Sequence, residues 1–520
     1  MHFAYPLITI AQQVIIMCRK SLYLFGILMM LTTSTSVWGE DFPETRDMNV
    51  LFIVLEDCNV GVWGCYGNSL VQTPNVDRFA ALGIRFDRAY CQSPSCGPSR
   101  ASMLTGLRPQ TTGVYENRHA MEEQLSPSTP TLHSMMKQHG LFVANIGKMY
   151  HSYGSESFKR SFDLAYKIDW TEYRLVRSRE PSDWSGPTIT FPRLPPSLQF
   201  PPEPPRGDPG WREWLHAFMD RYGDSGLRDE QHHDGQIART AAAMLRFFSE
   251  SNTRFFLSVG SDLPHTPLLC PKSYIDRYKP GAIPPPLAVT QQNSNDPYMV
   301  RRTGGNPDIF INSQPTPNQA REAVAAYYAC ISFMDTNIGL ILRTLELTGL
   351  DESTIVVLTS DHGFHLGDRG LWSKYTLLEP ATRVPLIVRV PGNPRNGSVC
   401  SSIVELVDLV PTLGELIGMN LPGNLEGLSF IPLLQNPTQP WKQAAFTSLG
   451  AKGEHVTIRT PHYRYVEWGN DVEYPVELYD LDRDPRETVN RAEDRAYTDA
   501  RQEMTKILHA GWRRGMPDKR

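Results

Sequence analysis

The stretch NVLFIVLED, residues 49–57, decides how this chain folds: an unbroken apolar run, Val50 to Leu55, leads directly into two acids. A strand with one wet face would alternate apolar and polar residues. A continuous, β-branched run instead predicts a strand covered on both faces. Four further stretches repeat the pattern: LFVANIGK (141–148), RFFLSVGSD (254–262), STIVVLTSDH (353–362) and VPLIVRVPG (384–392). Helical segments lie between them. TPNVDRFAALG (73–83) offers Thr73 as N-cap, Pro74 for the first turn and Gly83 as the stop. Residues 321–349 carry Val324, Tyr328, Ile331, Met334, Ile338, Leu342 and Leu345 as one apolar stripe ending at Gly349.

Strands alternating with helices predict an α/β fold, a mostly parallel central sheet with helices on both faces. Such sheets bind ligands beyond the carboxyl ends of their strands. Glu56 and Asp57 follow the first run, Lys148 and His151 the second, His265 the third, and Asp361 and His362 the fourth. Four strands thus deliver charged or imidazole groups to one edge. Further on, HVTIRT, YRYVEW and VELYDL precede the amphipathic AYTDARQEMTKILHAGW, which predicts a smaller α+β subdomain with a short antiparallel sheet and a terminal helix. The expected organisation is a catalytic domain over 46–435 and a C-terminal subdomain over 436–520. The Pro-rich stretch between residues 186 and 210 and the Pro/Asn/Gln-rich residues 281–318 read as surface excursions.

With 520 residues, 40% of them hydrophobic, and a net charge of −5, the chain is globular and has no basic field to hold nucleic acid or an anionic membrane. An anionic substrate would need a local cluster of cations. At the N-terminus, Cys18-Arg19-Lys20 precedes the apolar SLYLFGILMMLTT, and SVWG suits a cleavage site after Gly39. Residues 1–39 are therefore expected to be a signal peptide, with Met17 as an alternative start. The mature chain is expected in the periplasm or outside the cell, without stable membrane association. Removing Cys18 from eight cysteines leaves an odd number, so at least one thiol has no partner. Most of them suit buried, inert positions.

Cys96 stands apart. In SPSCGPSRASMLTG (93–106) it precedes a helix start, with Pro98 in the first turn, so it would face the positive end of a helix dipole beside Arg100. That place suits a nucleophile or an oxyanion. The residues alone leave three readings: half of a disulfide with Cys91, a metal ligand, or a residue converted after translation. Glu56, Asp57 and Asp361 would repel one another unless a cation lay among them, and a hard divalent ion, Ca²⁺ or Mg²⁺, suits oxygen ligands. Singly, each could be a solvated loop acid; together with Cys96 they favour the cation.

Cys-X-Pro-Ser-Arg followed by ASMLTGLRP resembles the signature of the type I sulfatases, in which the cysteine is oxidised to formylglycine. The resemblance runs from NVLFIVLEDCNVGVWGCYGN through TPNVDRFAALGIRFDRAYCQSPSC to ELYDLDRDPRETVN. RPQTTGVYENR, NIGKMYH, SDLPHTPL, SDHGFHLGDRGLWSKYTLLEPATRVPLIV and VELVDLVPTLGEL look most like the iduronate-2-sulfatase branch. The resemblance implies an alkaline-phosphatase-like fold, a sulfated carbohydrate such as a glycosaminoglycan as substrate, and a maturation enzyme that generates formylglycine from Cys96. It also implies calcium held by Glu56, Asp57, the modified Cys96, Asp361 and His362, although Glu56 departs from the family's usual aspartate.

By the same resemblance, Arg100 would orient the formylglycine, and Lys148 and Lys374 would clamp sulfate oxygens. His265 would protonate the departing alcohol. A hydrated aldehyde offers two hydroxyls on one carbon; one would attack sulfur, and the other, deprotonated with help from His151, would collapse to expel sulfate. His365 and Arg383 are substrate-pocket candidates. A phosphodiester or phosphonate monoester hydrolase would share this layout, and a catalytically silent chain would bind sulfated polysaccharide without cleaving it.

Overall fold

The run Asn49–Leu55 is buried along its whole length, as a strand between two helical layers requires. The computed structural model describes residues 42–126, 128–151, 161–167, 176–177, 186, 204–205, 208–286, 308–311, 313–469 and 476–517. The expected signal peptide, and most of the 186–210 and 281–318 stretches, lie outside the described residues. Residues 44–520 form one compact unit.

In chain order the strands are β1 (Asn49–Leu55), β2 (Ile84–Tyr90), β3 (Phe142–Gly147), β4 (Leu164–Lys167), β5 (Val176–Arg177), β6 (Tyr222–Asp224), β7 (Phe255–Gly260), β8 (Leu268–Cys270) and β9 (Thr354–Ser360). There follow β10 (His365–Leu366), β11 (Trp372–Ser373), β12 (Arg383–Arg389), β13 (Val399–Glu405), β14 (Ala445–Leu449), β15 (His455–Arg459), β16 (Tyr463–Glu467) and β17 (Val476–Asp480). One sheet has the order β13-β2-β12-β9-β1-β7-β3-β4-β5. Its centre, β9 to β4, is parallel throughout. β12 opposes both of its neighbours, β13 runs with β2, and β5 opposes β4, so only β12 and β5 run against the common direction. The sheet is mostly parallel, as read. The run VPLIVRVPG is the exception, because burial on both faces dictates its composition and says nothing of its direction.

Both faces of the sheet are covered. Leu51, Ile53 and Leu55 share a core with the helices Pro74–Ala81, His233–Ser251 and Pro317–Leu347. Phe52 and Phe256 stack on the other side, where His133 of the helix Leu132–Gln138 meets Phe256 edge-on at 5.0 Å. Thr73 occupies the N-cap position of the first of these helices, but its hydroxyl accepts from the Gly64 amide instead of a helix amide. The smaller antiparallel sheet β14-β15-β16-β17 packs Ile458, Tyr465 and Leu478 against Met504 and Ile507 of the helix Thr498–His509. Within this sheet β14 is the strand that the sequence pattern did not announce; in the large sheet β2 and β13 were likewise unannounced.

Register brings the carboxyl ends of four central strands level: Leu55 lies opposite Ser360, and Gly260 lies opposite both Val54 and Gly147. Gly147 has φ +78°, and a Cβ there would meet the Gly260 carbonyl oxygen at 2.1 Å. Glycine is therefore required where the chain turns into Lys148. All seven cysteines among the described residues are unpaired thiols, so Cys91 and Cys96 are not bonded to one another.

Beneath that turn, His133 is fully buried between the Tyr150 hydroxyl, 2.6 Å from Nδ1, and the Ser258 hydroxyl, 2.8 Å from Nε2. Burial pushes its pKa down to about 3. The unfolded chain, with a histidine pKa of about 6.5, binds more protons than the native state below that pH, so acid destabilises the fold. Between about pH 7 and about pH 5 this one group should remove roughly 2 kcal/mol. Urea unfolding of wild type and His133→Gln at both pH values checks it; the variant should lose correspondingly less, and an identical loss would contradict the assignment.

Candidate active site

The edge predicted from the strand ends is a single buried cluster. Glu56 and Asp57 leave β1 with no exposed surface. Asp57 adopts φ +51°, a left-handed conformation that costs a non-glycine residue about 1–3 kcal/mol. It is held there by its amide, which donates to Asp361 Oδ1 at 3.1 Å, and by Tyr327, whose hydroxyl donates to the Asp57 carbonyl at 2.7 Å. The helix Cys96–Thr105 begins at Cys96 itself and is buried over its full length. Asn117 fixes that start, its Oδ1 accepting from Ser95 Oγ at 2.9 Å and from the Gly97 amide at 2.8 Å.

Three cations answer the three carboxylates. Arg100 donates through Nε to Asp361 Oδ2 at 3.0 Å and through a terminal nitrogen to Glu56 Oε2 at 2.5 Å, while another terminal nitrogen reaches the Lys148 carbonyl at 2.7 Å. Lys148 donates to Glu56 Oε1 at 2.5 Å. Lys374 lies 2.7 and 2.8 Å from the two Asp57 oxygens and 3.2 Å from Cys96 Sγ. It is carried by the β10–β11 pair, and Ser373 and Tyr375 on either side of it have φ +68° and +63°. Burial alone would raise the Glu56 pKa, but Lys148 and Arg100 outweigh it and hold the carboxyl well below its usual range. Burial works against the Lys374 charge too, and Asp57 more than restores it.

Two of the three imidazoles turn their Nε2 atoms toward Asp57. His362 Nδ1 donates to the Gly363 carbonyl at 2.9 Å, which leaves Nε2 facing Cys96 Sγ at 3.3 Å and Asp57 Oδ1 at 3.3 Å. His265 Nδ1 donates to the Thr266 carbonyl at 2.6 Å, with Nε2 3.9 Å from Asp57 Oδ2. Burial, and then the charges of Lys374 and Lys148, push His265 down to about 3. His151 is held at about 3 by burial and by Lys148, and its Nδ1 is buried without a hydrogen-bond partner among the described residues. Asp57, Cys96, Asp361 and His362 offer ligand atoms within 4.8 Å of one another, as do Glu56, Asp57, Cys96 and His265. Carboxylate oxygens with one imidazole nitrogen fit a hard divalent cation. Glu56 belongs to the second grouping only, and both of its oxygens are already engaged by Arg100 and Lys148.

The structure thus brings together Glu56, Asp57, Cys96, Arg100, Lys148, His151, His265, Asp361, His362 and Lys374. Two other candidates are employed elsewhere: His365 Nε2 pairs with Thr376 Oγ1 at 2.7 Å, and Arg383 lines a cavity that includes none of the ten. Sequence reasoning missed Asn117, although it lies in the quoted RPQTTGVYENR. It also missed Asp308, whose carboxylate takes the Ser373 hydroxyl at 2.5 Å and lies 3.6 Å from Lys374 Nζ. Asp308 sits in a stretch rich in Pro, Asn and Gln, where no periodicity marks one acid above another.

Lys374→Met would leave Asp57 buried without its ammonium partner. In metal-free protein the expected cost is about 3–5 kcal/mol of unfolding free energy, measured by urea titration in excess chelator. A loss under about 1 kcal/mol, the scale of an exposed pair, would contradict the pairing.

Known proteins match this span. The family model described as Sulfatase matches residues 48–419, which contain all ten residues of the cluster, and the model described as N-sulphoglucosamine sulphohydrolase, C-terminal, matches 367–513. A sulfatase of Formosa agariphila is 30% identical over 481 residues, covering 90% of this chain and 87% of its own. Iduronate 2-sulfatase of Mus musculus is 29% identical over 416 residues, 73% of this chain and 70% of its own. In fold, the chain resembles a phosphonate monoester hydrolase from Silicibacter pomeroyi, with a TM-score of 0.71 at 23% identity over 91% of this chain and 96% of that one. A likeness at that identity speaks for the architecture alone. Family model and relatives agree with the chemistry of the cluster: this chain belongs to the sulfatase family and is a sulfuric ester hydrolase.

Proposed function

We propose that this chain is exported and hydrolyses a sulfate ester of a sulfated carbohydrate, using a formylglycine made from Cys96 by a maturation enzyme together with a bound calcium ion. The observation that carries the reading is the place of Cys96. It begins a buried helix, 3.2 Å from Lys374 and 3.3 Å from His362, with ligand atoms of Asp57, Asp361 and His362 within 4.8 Å. That is a nucleophile's position beside a cation site. A formylglycine hydrate there offers two hydroxyls on one carbon, one to attack and one to collapse, which a thiol does not.

Asp57, Asp361 and His362 would hold the calcium, with Glu56 within reach. When bound, the ion supplies two positive charges and lowers the pKa of a neighbouring hydroxyl. The protein's own charges nearly balance around it: Glu56, Asp57, Asp361 and, beside Lys374, Asp308 against Arg100, Lys148 and Lys374, one negative charge in excess. The loaded site is therefore positive and attracts an anionic ester. Lys374 and Lys148 grip sulfate oxygens, and Arg100 orients the residue at position 96 from one helical turn away. His265 is neutral in the free site. A sulfate anion beside it raises its pKa, so the imidazole gains the proton it passes to the leaving alcohol. His151, on the Lys148 side, accepts a proton in the release step. The similarity to iduronate 2-sulfatase supports a carbohydrate sulfate as substrate.

Co-expression with a maturation enzyme, followed by peptide mass spectrometry, should find an aldehyde at position 96, and Cys96→Ala should be inactive. The matured enzyme should prefer 4-nitrophenyl sulfate to an aryl phosphonate by more than about tenfold in kcat/KM, and Lys148→Met should lower that value by roughly 10²-fold. A retained thiol in active enzyme, or a preference for the phosphonate, would contradict the proposal.

A further inference from the structure

We propose that a cavity of about 550 Å³ outside the catalytic cluster, bounded by the turn Gly64–Gly67, β2, and the start of β12, is a second anion site that holds a sulfate or carboxylate group of a polyanionic glycan. The glycan identity rests on the carbohydrate reading above; the anion chemistry does not. Arg85, Arg88, Arg383 and Arg459 line the cavity against only two carboxylates, Asp87 and Glu379. On a chain of net charge −5, this is a local excess of positive charge.

The two acids are already engaged. Glu379 accepts from the Tyr90 hydroxyl at 3.0 Å, from Arg459 Nε at 3.2 Å and from Arg464 at 2.5 Å. Asp87 lies 3.1 Å from Arg85. Arg88 reaches a backbone carbonyl, that of Ser401, at 3.1 Å. Arg383 Nε is 3.9 Å from Glu379, beyond hydrogen-bond range, and the Nε atoms of both Arg383 and Arg85 are buried without an acceptor. With four guanidiniums against two engaged carboxylates, donors outnumber acceptors along the cavity wall. An oxyanion in the cavity would take charge-assisted bonds from the guanidinium nitrogens that face it.

The cavity volume falls within the roughly 300–1,000 Å³ usual for small-ligand sites, which suits a sugar unit bearing the anion better than a bare ion. Its position suits an extended ligand as well. Arg383 pairs in register with Tyr90 at the carboxyl end of β2, the end from which the chain runs on to Cys96.

Calorimetric titration of the full chain carrying Cys96→Ala with a heparin hexasaccharide tests the site. Arg85→Gln with Arg88→Gln should weaken binding by about tenfold or more, and Asp87→Asn, which frees Arg85, should tighten it about threefold. In the matured Cys96 enzyme, the same substitutions should leave kcat/KM for 4-nitrophenyl sulfate within about twofold of the parent, because that small ester does not reach the cavity. Unchanged hexasaccharide affinity in the double variant would overturn the proposal. So would displacement of the hexasaccharide by inorganic sulfate at an equal concentration of sulfate groups, which would mark a single-ion site. Hydrolysis and binding are read separately, so a failure of the catalytic reading is distinguishable from a failure of the cavity.

Discussion

Three carboxylates buried at the end of a parallel sheet need cations at contact distance, and that requirement shapes everything around Cys96. Bringing each ion out of water costs several kcal/mol, repaid only by close pairing and full hydrogen bonding. The cations come from three different places: Arg100 from the helix that begins at Cys96, Lys148 from the end of β3, and Lys374 from the β10–β11 pair. No one segment can assemble the site. Its completion depends on the register that levels β9, β1, β7 and β3, and it is accompanied by left-handed backbone at Asp57, Ser373 and Tyr375.

The same balance explains how one cluster can serve a cation and an anion together. Lys374 sits on Asp57 and Lys148 on Glu56. The residues that would bind sulfate oxygens are thus the ones paired with the carboxylates. Cys96 lies between the two sets, touching Lys374 and His362, with the helix dipole behind it. Burial and the nearby carboxylates push its thiol pKa up, while Lys374 works the other way.

Much of this was legible in the sequence, for physical reasons that differ by residue. Glu56, Asp57, Asp361 and His362 follow unbroken apolar runs, so their arrival at one edge follows from the two-sided burial that also writes those runs. Lys374 has no such marker: LWSKYTL reads as a surface segment, and only the family resemblance singled it out before the structure placed it 1% exposed against Asp57. The direction of β12 was hidden because a strand buried on both faces has the same composition whichever way it runs. Asn117 and Asp308 act through contacts between distant segments, which local pattern does not encode. Arg383, near Lys374 in sequence, lines a different cavity, because nearness along the chain does not fix nearness in the fold.

The proposed divalent-cation site consists of Asp57, Asp361 and His362, inside a cluster whose other charges nearly cancel. Calorimetric titration of calcium into the chelator-treated chain tests it most directly. One ion should bind per chain, and binding should be lost in Asp57→Asn and in Asp361→Asn, each checked to be folded. Stoichiometric binding that survives both substitutions, or none in the parent chain, would contradict the account.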